Sequence, residues 1–170
     1  IIGGNKLSGS ISCSGAKNAA LPMLAATILS DKAITFKNLP YLQDITTMFE
    51  ILGSMGADIS LNENMDFTIS TSNLHDFEAR YELVKTMRAS ILVLGSLVAR
   101  HGFARIALPG GCAIGTRPVD IHLKALSKLG VRYKIIQGYV YATAPKGLIG
   151  SKIKPEIISS LFFRAIDIAK

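Results

Sequence analysis

The chain has no tryptophan, only two cysteines, and aromatic residues at 7% of its 170 positions. Cys13 and Cys112 lie far apart and match neither a metal-ligand spacing nor a disulfide scaffold. Free thiols fit a reducing compartment, so the expected location is cytoplasmic. Long hydrophobic runs are also missing, although hydrophobic residues make up 49% and the mean hydropathy is +0.35. The longest run, Ile91–Ala99 (ILVLGSLVA), falls well short of the roughly 20 residues that span a bilayer. The opening IIGGNKLSGS lacks the charged and apolar regions of a signal peptide. Negative charge is scarce: 12 acidic against 19 basic residues give a net charge of +7. The basic residues are scattered without interleaved aromatics, which argues against nucleic acid, and no basic stripe marks a membrane-surface helix. A small anionic substrate, a phosphate or a carboxylate, is the reading that remains.

What is present repeats. Lys17–Leu29 has helical apolar spacing and Ala33–Phe36 alternates as a strand; Tyr41–Met55 is an amphipathic helix closed by Gly56. Strands are expected at Asp58–Leu61 and Asp66–Ser70, joined by the turn NENM. The order then returns, with a helix over Lys85–Arg100, a strand over Ala104–Leu108 and a helix over Val119–Leu129 closed by Gly130. Strands over Arg132–Gln137 and Tyr139–Thr143 follow, turning at Gly138. Without gaps, Lys17–Pro40 aligns on Met87–Gly110, pairing Asn18 with Arg88, Leu24 with Leu94 and Phe36 with Ile106. This gives helix-strand-helix-strand-strand units over about residues 17–72 and 85–145. A third unit opens at Pro155 and has only 16 residues, PEIISSLFFRAIDIAK. The expectation is an α/β array whose third unit, 155–170, is truncated; the alternative is a natural C-terminal helix capping two units.

Chemistry concentrates at the starts of the expected helices. Lys17 and Asn18, in SGAKNAALP, stand after an expected strand that includes Cys13, at a helix start where free N–H groups favour an anion. An ordinary capping segment with a solvated lysine would look the same. Arg88 occupies the equivalent place in the second unit and alone reads equally as a surface arginine. Pro118 and Asp120 fit the first turn of a helix, but Arg117 puts a cation at the positive end of a dipole, which an anion there would explain. Cys112 sits in PGGCAIGTRPVD, between glycine pairs that imply a mobile loop. Near Arg117 and a helix start it is a candidate nucleophile or proton donor, or else an unremarkable loop thiol. Cys13 reads as structural and His122 as a partly buried, hydrogen-bonding histidine.

The blocks SGAKNAALP, LVKTMRAS, LPGGCAIGTRPVDIH, and LGV followed by GYV resemble the UDP-N-acetylglucosamine 1-carboxyvinyltransferase family, over about Ile2 to Ser151. The resemblance implies an inside-out α/β barrel of repeated units, incomplete here. It implies transfer of the enolpyruvyl group of phosphoenolpyruvate to the 3-hydroxyl of UDP-N-acetylglucosamine, with release of phosphate, the first committed step of peptidoglycan synthesis. Lys17 and Asn18 then correspond to phosphoenolpyruvate contacts. Arg88 and the run Arg117, Pro118, Val119, Asp120 and Ile121 correspond to the sugar-nucleotide site. Cys112 matches the mobile-loop proton donor, which also bonds covalently to phosphoenolpyruvate. No cofactor or metal is implied. The sister family of the shikimate pathway shares the fold and chemistry but lacks the cysteine loop, so GGCAIGTRPVD separates the two.

Two departures shape the expectation for this chain. Where the family's third unit carries a lysine and a Val-Ser-Val-Gly-Ala stretch, this chain has PEIISSLFF, with Ile157 in place of the lysine. The family's catalytic aspartate and a further phosphoenolpyruvate arginine belong to a domain beyond this length. The expectation is therefore an inactive or complementing fragment, working with a second chain that supplies the missing domain. The alternative is a non-catalytic remnant or a binding module that needs such a partner. Lys17, Arg88 and Arg117 are expected to converge on one cleft.

Overall fold

A computed structural model describes Gly3, Gly4, Lys6 and residues 8–85, 87–108 and 119–154, with Arg88 described in its backbone only. The chain enters helix α1 (Lys17–Ala26), tightens into a 3₁₀ turn over Thr27–Leu29, and continues through β1 (Ile34–Phe36), α2 (Gln43–Ser54), β2 (Asp58–Leu61) and β3 (Phe67–Ser70). The second half has β4 (Glu78–Ala79), α3 (Tyr81–Val84), a 3₁₀ turn over Arg88–Ser90, α4 (Ile91–His101), β5 (Phe103–Ala107), α5 (Asp120–Lys128), β6 (Arg132–Ile136) and β7 (Tyr139–Thr143). The protein is an α/β assembly, as its alternating periodicities require.

The two sheets share a three-stranded antiparallel arrangement, to which the second adds β4 on the outer side of β5. In the first, β3 lies between β1 and β2 and pairs antiparallel with both. In the second, β7 lies between β5 and β6, again antiparallel to both. The helix ends match as well. Gly56 (φ 102°) follows α2, with Gly56 N–H donating to the Gly53 carbonyl and Ala57 N–H to that of Leu52, both at 3.0 Å. Gly130 (φ 92°) follows α5, with Gly130 N–H reaching Ser127 at 3.0 Å and Val131 N–H reaching Leu126 at 3.1 Å. Both are Schellman closures, which need a left-handed residue just past the helix.

Three expectations need correction, and one strand is added. The helix expected over Lys85–Arg100 begins only at Ile91. The Ser90 hydroxyl donates to the Met87 carbonyl at 2.7 Å, a local bond that competes with helix propagation, and the preceding turn is 3₁₀. Strand β4 was missed because two residues carry no periodicity. It is held parallel to β5 by Arg105 N–H donating to the Phe77 carbonyl at 2.9 Å and by the Arg105–Glu78 ion pair at 2.7 Å. The Arg105 guanidinium also lies 4.3 Å from the centre of the Tyr139 ring. No strand forms over residues 8–16: the face that Ile11 and Cys13 share meets no neighbouring strand, Ile11 is 90% exposed, and Cys13 is an exposed free thiol rather than a structural one. The helix expected to run to Leu29 ends at Ala26 and finishes as the 3₁₀ turn, where the Thr27 hydroxyl bonds back to Leu24 at 2.7 Å.

The core centres on α4, in which Ile91 through Val98 are all buried. Helix α1 brings Ala20, Leu21, Leu24 and Ala25 against it, and α2 contributes Ile45, Met48, Ile51 and Leu52 to the same cluster. Among the described residues no helix is long and apolar enough to cross a membrane.

Arg100, at the last turn of α4, ties the two halves together. Its Nη1 donates to the Ile28 carbonyl at 2.7 Å and the Ser30 carbonyl at 2.9 Å, and its Nη2 pairs with Asp31. Truncation would remove the Arg100 donor from the Ile28 carbonyl and leave that of Ser30 with the Thr71 hydroxyl at 3.1 Å, so Arg100→Ala is expected to cost about 1–3 kcal/mol in urea unfolding, and Arg100→Lys, which lacks the planar fork, to recover less than half of that. Beside it, His101 stacks on Phe77 with centroids 4.4 Å apart. Burial, and secondarily the Arg100 cation, hold its imidazole below the ordinary value. Below pH of about 6.5 the unfolded chain binds a proton that the folded His101 declines. Stability should therefore fall as pH drops through that value towards the folded-state one, and His101→Phe should flatten that part of the profile.

Candidate functional site

The local sequence leaves the start of α1 open. Its N-cap residue is Ala16, which has no side-chain group to accept from the first-turn N–H groups, and the first turn contains no acidic residue. Lys17 and Asn18 are the first two residues of the helix and both are exposed. Pro22 inside α1 has no N–H to donate to the carbonyl of Asn18, which is thereby left without its helical donor. A capping segment would have filled this end with its own side chain, and this one does not.

Three helix N-termini gather here. Arg100 at the end of α4 bonds carbonyls just past the end of α1, and α4 packs along α1, so the two helices run in the same sense and begin at the same end. Lys17 Nζ lies 2.8 Å from Oδ2 of Asp44, in the first turn of α2, which brings the start of α2 to that end too. The positive ends of three helix dipoles thus share one region, each worth about 0.3–1 kcal/mol to an anion in its first turn. The Lys17–Asp44 pair itself is 44% and 33% exposed, and at that exposure an ion pair adds only about 0–1 kcal/mol of stability.

The entry to α1 is fixed by the chain between β1 and α2. Asn38 adopts φ 56° and its Nδ2 donates to the Cys13 carbonyl at 3.2 Å. A Cβ on Gly15 would collide with the Asn38 carbonyl oxygen, so glycine is required by close backbone approach.

The second group of expected site residues stands at the start of α5. Val119 is its half-buried N-cap residue, Asp120 is exposed in the first turn and lies 4.0 Å from Lys124, and Ile121 packs partly against the core. His122, next in line, is buried. Arg88 heads the 3₁₀ turn before α4, which puts its backbone at the same end as Lys17. Cys112, Arg117 and Pro118 lie outside the described residues, as does the segment 155–170, so the expected convergence of Lys17, Arg88 and Arg117 falls partly on residues not described. Asp44 was not anticipated. An acidic residue in the first turn of a helix is already accounted for by the helix dipole, and nothing in its spacing points to Lys17.

This architecture is that of the enolpyruvyl transferases. The enolpyruvyl transferase NikO from Streptomyces tendae matches with a TM-score of 0.70 and 27% identity, over 86% of this chain and 32% of that one. EPSP synthase from Acinetobacter baumannii, at 17% identity, matches in fold with a TM-score of 0.71 over 95% of this chain and 37% of that one. The chain belongs to the family described as EPSP synthase (3-phosphoshikimate 1-carboxyvinyltransferase), whose model matches residues 1–166. Within it, similar curated relatives are named UDP-N-acetylglucosamine 1-carboxyvinyltransferase. That of Pelagibacter ubique is 60% identical over 154 residues, 91% of this chain and 37% of the relative. That of Aliarcobacter butzleri is 54% identical over 90% of this chain and 36% of the relative. The chain thus spans about a third of the length of the curated relatives it matches.

Because Gly15 is pressed on a backbone carbonyl, Gly15→Ala should displace the start of α1. The expected result is faster hydrogen exchange at the Ala19 and Ala20 amides, which bond the Ala16 carbonyl at 3.0 Å, with little change in α5.

Proposed function

We propose that this chain carries part of the site that transfers the enolpyruvyl group of phosphoenolpyruvate to the 3-hydroxyl of UDP-N-acetylglucosamine, in the cytoplasmic first committed step of peptidoglycan synthesis. The observation that carries the reading is the 60% identity to a relative of that name, joined to an uncapped helix start at Lys17 and Asn18 beside the first turn of α2. In this reading Lys17 and Asn18 hold phosphoenolpyruvate, and Arg88, Arg117, Pro118, Val119, Asp120 and Ile121 line the sugar-nucleotide site. The two units, about 17–72 and 85–145, belong to an inside-out barrel; their common β1-β3-β2 and β5-β7-β6 order and the burial of Ile91 to Val98 in α4 support that.

The chemistry assigns Cys112 its role. When the sugar's 3-hydroxyl oxygen adds to C2 of phosphoenolpyruvate, the adjacent C3 must gain a proton. When phosphate leaves, C3 must lose one to restore the double bond. In this reading the Cys112 thiol supplies the first proton. A second reading is a binding module completed by another chain. Transfer needs two anionic reactants held in register, an effect worth roughly 7–11 kcal/mol, so the 170 residues alone should release no measurable phosphate.

The test places the matched segment of this chain in the Pelagibacter ubique relative in place of its own. The chimera should release phosphate only with both substrates present, and Cys112→Ala should lower the rate on the order of 10²–10⁴-fold. A chimera whose turnover ignores Cys112→Ala would contradict the assignment, and a folded chimera without turnover would favour the module.

A further inference from the structure

We propose that Asp44 is a positioning residue that presets the Lys17 ammonium for capture of phosphoenolpyruvate. The proposal rests on the reading of Lys17 as a phosphoenolpyruvate contact. A lysine side chain is long and loses much conformational freedom when a ligand immobilises it. Here that freedom is restricted beforehand, because Lys17 Nζ lies 2.8 Å from Asp44 Oδ2 while both groups stay open to solvent. An ammonium has three N–H donors, so one directed at Asp44 leaves two for an incoming phosphate or carboxylate.

The carboxylate is itself firmly placed. Asp44 is in the first turn of α2, where the dipole favours its charge, and its neighbours Ile45 and Met48 anchor that helix in the core. The connection leading into α2 also holds the entry to α1, through Asn38 on the Cys13 carbonyl and against Gly15. One stretch of chain therefore sets both the backbone of the anion site and the side chain that reaches into it. The Asp44 charge also repels an incoming anion, and substitution separates the two effects. Asp44→Asn keeps an oxygen that accepts from Lys17 and removes the charge, whereas Asp44→Ala removes both.

The test acylates the 170-residue chain at trace level with an N-hydroxysuccinimide ester while phosphoenolpyruvate is titrated, and quantifies the Lys17 peptide by mass spectrometry. Positioning predicts that Asp44→Asn half-protects within about twofold of the wild-type concentration, and that Asp44→Ala needs about fivefold more or beyond. Urea midpoints control for folding, and Asp44→Ser, which suits a helix start, repeats the Ala measurement if that variant is unstable. If Asn and Ala both lower the concentration needed, Asp44 competes with the substrate and the proposal is overturned. Wild-type protection that is insensitive to Asp44→Ala removes the positioning role alone. A wild-type Lys17 that phosphoenolpyruvate never protects removes the substrate assignment, and the proposal with it.

Discussion

Everything in this fold depends on the burial of α4. Eight consecutive residues, Ile91 to Val98, leave that helix no polar face, so it must be enclosed by other elements rather than laid on a surface. Its enclosure by α1 and the rest of the core fixes where the other helices lie, and the Arg100 fork on the Ile28 and Ser30 carbonyls fixes their direction. A helix pair packed through apolar side chains alone could run in either sense. The guanidinium at one end of α4 and the carbonyls just past α1 select the parallel one.

That choice has an electrostatic consequence. Parallel α1 and α4 start together, and the ion pair between Lys17 and Asp44 adds the start of α2. The positive ends of the dipoles would repel one another, and a bound anion relieves that repulsion. The uncapped Ala16 and the exposed Lys17 are weak choices for stability and suitable ones for an anion site. The chain belongs to the EPSP synthase (3-phosphoshikimate 1-carboxyvinyltransferase) family.

Much of the fold could be read in the residues. Asp58–Leu61 and Tyr139–Thr143 are strands with the limits that their alternation implies, and Gly56 and Gly130 close their helices in the left-handed conformation. The segment before α4 could not be read, because its break comes from the Ser90 hydroxyl bonding back to Met87 rather than from a helix-breaking residue. Strand β4 depends on Arg105 of β5, a partner distant in sequence that bonds Phe77 and pairs with Glu78. At the site, Lys17 and Asn18 were visible as a lysine and an amide at a helix start, but their association with Asp44 needs the packing of α1 against α2. Cysteine 13 misled because alternation implies a strand only where a neighbouring strand exists to pair with it.

The central claim is that the shared N-terminal end of α1, α2 and α4 binds an anion. Titration of the isotopically labelled chain with phosphoenolpyruvate, followed through its backbone amide NMR shifts, tests this most directly. The account predicts saturable shifts concentrated at Lys17, Asn18, Asp44 and the start of α4, with the ends of those helices near Arg100 unmoved. Shifts that are absent, that fail to saturate, or that centre on the C-terminal ends of the helices would contradict it.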